Sequence, residues 1–157
     1  MKRVAVIVAG ILVLLVVLFG GFHGFYALRE QTAKAEVAVT LAPAADGCTP
    51  QITDVIGGGF LKQVKWLVTN NCSTSQVVTM RDFVEDAGGQ KSTNHVQIFS
   101  DDPVDSGPIN SGARDHPVPT RVTKFVIVKT LFHYTLCTRD QATQASKCLD
   151  PDVEIWP

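Results

Sequence analysis

The chain has 157 residues, 14 Lys and Arg against 15 Asp and Glu, and 45% hydrophobic residues, enough apolar material for one packed domain. Without Lys2 and Arg3 the remainder holds 12 basic against 15 acidic residues, a weak acidity that argues against a nucleic-acid reader, whose phosphate contacts need grouped Lys and Arg. Four cysteines, all beyond residue 47, point to an oxidising compartment where disulfides persist.

Lys2 and Arg3 precede residues 4–28, which contain no Asp, Glu, Lys or Arg. As a helix, 25 residues at 1.5 Å each reach roughly 37 Å, more than a hydrocarbon core of about 30 Å. We read residues 1–30 as a transmembrane signal anchor; the competing reading is a cleaved secretory signal with Ala33-Lys34-Ala35 as processing site. Positive charge stays on the cytoplasmic side. The expected location is therefore the cell inner membrane, single-pass, with a cytoplasmic N-terminus and a periplasmic C-terminal domain. Gly20 and Gly24, four apart, form a small-residue face on which another membrane helix could pack. Phe22, His23, Phe25 and Tyr26 fall where side chains meet the headgroup layer.

Residues 31–36 read as a short polar stalk, and residues 37–157 as an extracytoplasmic β domain. Short Val, Ile, Thr and aromatic runs alternate with Gly, Pro, Asn and Asp clusters, and no helical period is sustained. Strands are expected at 37–41, 51–55, 63–69, 76–83, 95–99, 121–128, 131–137 and 152–156, which describes an antiparallel β-sandwich. Alternation puts Val64, Trp66 and Val68 on the core face of one strand, and Phe132, Tyr134 and Leu136 on that of another. His133 then faces outward. Residues 100–119, rich in Asp, Pro, Gly and Ser, read as a long connection of the kind that carries partner contacts.

Gly47-Cys48, Val64-x-Trp66-x-Val68-x-Asn70, Ile109-x-x-Gly112, Phe132-x-Tyr134-Thr135 and Leu149-Asp150-Pro151-Asp152-Val153-Glu154-Ile155 resemble the bacterial cupredoxin-like domains, a plastocyanin-type β-sandwich. The resemblance covers residues 37–157 and implies a fold; an immunoglobulin-like sandwich is the alternative. Blue copper needs two histidines, a cysteine and usually a weak axial methionine. No histidine follows Cys137 or Cys148, and Met80 is the sole methionine after the first residue. The resemblance thus implies a cupredoxin-like shell without its metal.

Cys48 with Cys72 and Cys137 with Cys148 are the favoured disulfides among three possible pairings. No close Cys-x-x-Cys supports a redox or zinc site, and no nucleophile elbow, HExxH or phosphate loop supports catalysis. Gly57-Gly58-Gly59 reads as a turn, and Asp101, Asp102 and Asp105 as a solvated acidic loop rather than a calcium site. Asn71-Cys72-Ser73 has the glycosylation pattern.

The expectation is therefore a non-enzymatic accessory or scaffold subunit of a larger bacterial membrane complex. It would have no cofactor, and its partners would be integral membrane subunits and the lipid bilayer. The alternatives are a cupredoxin-derived metal or electron carrier that regroups His95, His116 and His133, and a free-standing envelope binding module.

Overall fold

Strand β5 (Gln63–Asn70) shows why the chain folds as it does. Val64, Trp66, Val68 and Asn70 are wholly buried, while Gln63, Lys65, Leu67 and Thr69 alternate with them on the outward face. The structure, a computed structural model, describes residues 33–86 and 89–157. The membrane span, Gly20, Gly24, and the group Phe22, His23, Phe25 and Tyr26 lie outside the described residues. Among those described, no helix is long and apolar enough to cross a membrane.

Twelve strands are described: β1 (Ala33–Lys34), β2 (Glu36–Ala44), β3 (Gly47–Ile52), β4 (Val55–Gly59), β5, β6 (Gln76–Asp86), β7 (Lys91–His95), β8 (Val104–Ile109), β9 (His116–Arg121), β10 (Thr130–Asp140), β11 (Ser146–Leu149) and β12 (Asp152–Trp156). One sheet runs β1-β4-β12-β10-β6-β7, with β11 added to β10 and β8 to β6; the other runs β3-β2-β5-β9. The protein is thus mainly β, with two sheets packed as a sandwich. Pairing is mixed, because β2 runs parallel to β5 and β4 parallel to β12. The compact unit begins at Ala33, where β1 pairs with β4, so residues 33, 34 and 36 of the expected stalk carry sheet partners.

The core is aromatic at its centre. Trp66, Phe83, Phe99 and Tyr134 are each wholly buried. Phe99 meets the edges of Trp66 and Phe83 at 5.5 and 5.2 Å, and Phe83 stacks on Tyr134 at 5.5 Å. Each such pair contributes about 0.5–1.5 kcal/mol beyond simple burial. Phe132, Tyr134 and Leu136 face this core as their alternation requires.

The two disulfides are Cys48–Cys72 and Cys137–Cys148, the pairs favoured by spacing. The first ties β3 to the loop after β5, closing 24 residues; the second clips directly opposed positions of β10 and β11, closing 11. Loop entropy makes them worth about 3.5 and about 2.8 kcal/mol. The buried Asn70 amide organises the same loop. Its Nδ2 donates to the carbonyls of Thr74, Ile109 and Asn110 at 3.0, 3.0 and 3.2 Å, and its Oδ1 accepts from the Cys72 amide at 3.0 Å.

Five expected elements differ. The strand expected at 51–55 is broken at residues 53–54, between β3 and β4, and the one expected at 95–99 keeps only His95, the end of β7, and an isolated bridge from Phe99 to Val122. Gly57, Gly58 and Gly59 form no turn; they lie within β4, between β1 and β12. A Cβ at Gly57 would come within 2.4 Å of the Glu154 carbonyl oxygen, so the glycine is what lets β12 approach. Residues 100–119 contain β8 and β9, both sheet-edge strands on which Pro108, Pro117 and Pro119 are tolerated because one side needs no N–H donor. Finally, the strand expected at 121–128 ends at Arg121, and residues 122–129 form a loop.

Candidate docking surface

That loop and the β4–β5 turn build one end of the sandwich. β4 stops at Gly59, and the Lys62 amide donates to the Gly59 carbonyl at 3.0 Å to close the turn. Leu61 sits at its apex with a φ of 62°, a left-handed conformation uncommon for a bulky residue. The Leu61 amide donates to Val122 O and the Val122 amide to Lys62 O, both at 2.9 Å, locking the turn to the start of the 122–129 loop. Thr123 and Lys124 amides bond to the Ile98 carbonyl, and buried Val126 pins the middle of the loop. The backbone is therefore held from several sides.

The side chains it presents are apolar. Phe60 is 41% exposed, Leu61 57%, Phe125 61%, Val128 50% and Ile127 79%. Phe60 and Phe125 meet edge to face at 5.6 Å, joining turn and loop into one patch. β12 ends beside it, since Trp156 pairs with Gly59, and Lys129 lies 5.9 Å from the Trp156 ring while forming an ion pair with Glu154. Full burial of one such apolar side chain is worth about 1.5–3 kcal/mol, so five exposed on a fixed backbone make this end the candidate contact surface. Runs 55–67 and 116–134 also contain no acidic residue but hold Lys62, Lys65, Arg121, Lys124 and Lys129. Lys65 is paired with Glu36, whereas no ion pair among the described residues involves Lys62, Arg121 or Lys124. The signal was present in the sequence as an acid-free, lysine-flanked KFVIVK run; its β-branched residues read as a buried strand instead.

The histidines do not converge. His95 and His133 lie on either side of Val84 in one sheet, two strand spacings or about 10 Å apart, and His116 is in the other sheet opposite Val68. His133, which faces outward and is mostly covered, lies between Asp152 (Nδ1 to Oδ1, 2.6 Å) and Asp86 (Nε2 to Oδ2, 3.4 Å). His95 Nε2 is 2.8 Å from Asp102 Oδ2. Asp101 accepts from the Ser100 and Thr120 hydroxyls and Asp105 from the Gly107 amide, so these carboxylates serve local turns. No group of three His, Cys, Asp or Glu able to hold a metal exists among the described residues.

At the opposite end, an open hollow of about 460 Å³ is lined by the Cys48–Cys72 bridge, Asp46, Thr74 and Asp140. The Asp140 carboxylate is fully engaged. It accepts from the Thr74 hydroxyl, the Gln76 amide at 3.1 Å, and the Ala142 and Thr143 backbone amides at 2.8 and 2.9 Å. The Thr74 hydroxyl first and the Thr143 amide next hold its pKa down to about 2, against the opposing effect of desolvation. It is a structural staple of the β10–β11 turn.

No protein-family model matches the chain, and no curated protein does. Among solved structures it is similar to the CsuC-CsuE chaperone-tip adhesion subunit pre-assembly complex from the archaic chaperone-usher Csu pili of Acinetobacter baumannii. There identity is 13%, the match covers 64% of this chain and 47% of that one, and the TM-score is 0.43. It is also similar to Lac15 from a marine microbial metagenome, at 11% identity, 79% and 32% coverage and a TM-score of 0.30. The chain spans less than half the length of either structure. Its own geometry establishes a two-sheet β-sandwich with two disulfides.

Proposed function

We propose that the protein is a non-catalytic, membrane-anchored accessory or scaffold subunit of a larger bacterial membrane complex, whose outer sandwich docks by one end at the membrane. The observation that carries this reading is the exposed patch of Phe60, Leu61, Phe125, Ile127 and Val128 on a backbone fixed by hydrogen bonds. In this reading residues 4–28 span the inner membrane with the N-terminus in the cytoplasm, and the sandwich is periplasmic. Gly20 and Gly24 pack against an integral subunit of the host complex, and Phe22, His23, Phe25 and Tyr26 sit at the interface. The finer fold is the metal-free cupredoxin-like shell that Val64-x-Trp66-x-Val68-x-Asn70 resembles.

Purification of the full chain in mild detergent tests the proposal. A stoichiometric assembly heavier than the 17.0 kDa monomer is expected, and it should fall apart when Gly20→Leu and Gly24→Leu are combined. Elution alone as a monomer would contradict it.

A further inference from the structure

Building on that docking reading, we infer that the apolar end rests on lipid: it is a bilayer-contact surface that selects anionic headgroups. Charge carries the inference. Beyond Arg3 the chain carries 12 basic and 15 acidic residues, yet the two runs that build this end, 55–67 and 116–134, hold no acid. Exposed Lys62 and Arg121 and half-buried Lys124 therefore flank the apolar side chains without ion-pair partners among the described residues. Apolar and aromatic tips flanked by Lys62, Lys124 and Arg121 match the boundary between acyl chains and headgroups, where rings and aliphatic groups enter and cationic groups meet phosphates. The acids beside this end, Glu36 and Glu154, are taken up by Lys65 and Lys129, so the rim charge left without an ion pair among the described residues is positive; a second protein would instead be expected to meet a rim that offers both signs.

The full chain, reconstituted into vesicles of phosphatidylcholine with or without phosphatidylglycerol, provides the test. An environment-sensitive fluorophore is attached at Ile127→Cys, and at Thr143→Cys in the opposite β10–β11 turn as reference. Spin-labelled lipid should quench the label at 127 several-fold more than that at 143. The excess should grow with phosphatidylglycerol and shrink in the Lys62→Glu/Lys124→Glu variant. A label at 127 shielded from aqueous iodide yet not quenched by lipid would overturn the lipid assignment and place a protein or a second copy there, leaving docking intact. A label at 127 as open to iodide as that at 143 would overturn docking itself.

Discussion

The indole N–H of Trp66 donates to the phenol oxygen of Tyr134 at 3.0 Å, across the buried centre of the sandwich and between the two sheets. Each residue is wholly buried, and desolvation pushes the Tyr134 phenol far above its usual pKa, with the Trp66 bond pulling the other way. The bond therefore joins neutral partners, and it fixes how one sheet faces the other. Removing the phenol leaves the indole donor buried and unpaired. Tyr134→Phe should lower stability by about 1–3 kcal/mol, read as a lower urea midpoint with an unchanged slope.

Both partners were legible in the sequence, because strands 63–69 and 131–137 alternate cleanly and a pleat turns alternation into burial. Residues 152–156 coincide with β12 for the same reason. The run 121–128 failed because a β-branched apolar segment has the same composition whether it lies in a core or is held out toward a partner; Ile127 and Val126 are neighbours with opposite exposure. Strands β8 and β9 were hidden by their prolines, which are punctuation in a central strand and protection at an edge. The glycine run of β4 was hidden because its reason is tertiary: the partner that fills the missing side-chain space is Glu154 and Trp156, a hundred residues away.

Asp140 makes part of the stability pH-dependent. Its folded pKa of about 2 lies below the ordinary value of about 3.9, so its contribution is complete above pH ~4 and is lost as pH falls from there towards 2. Thermal unfolding of the wild type should show Tm dropping through that window. Asp140→Asn should start from a lower Tm at pH 5 and show a shallower drop; an identical slope would remove Asp140 from the account.

The glycines of β4 separate by their neighbours. At Gly57 an added methyl meets the Glu154 carbonyl oxygen at 2.4 Å and the Trp156 ring at 2.6 Å; at Gly59 nothing is closer than 3.5 Å. Gly57→Ala should cost about 1–3 kcal/mol through a displaced β12, while Gly59→Ala should be close to neutral. Chemical denaturation of the two variants side by side checks the contrast.

The central proposal is that the chain is held at a membrane and that the end bearing Phe60 and Phe125 is covered there. Hydroxyl-radical footprinting of the full chain in intact membranes tests it directly, with His95, whose side chain is 52% exposed, as the internal reference and each rate normalised to the unfolded chain. The account predicts that Phe60 and Phe125 oxidise several-fold more slowly than His95. Oxidation of Phe125 at a rate matching its 61% exposure, on a par with His95, would contradict it.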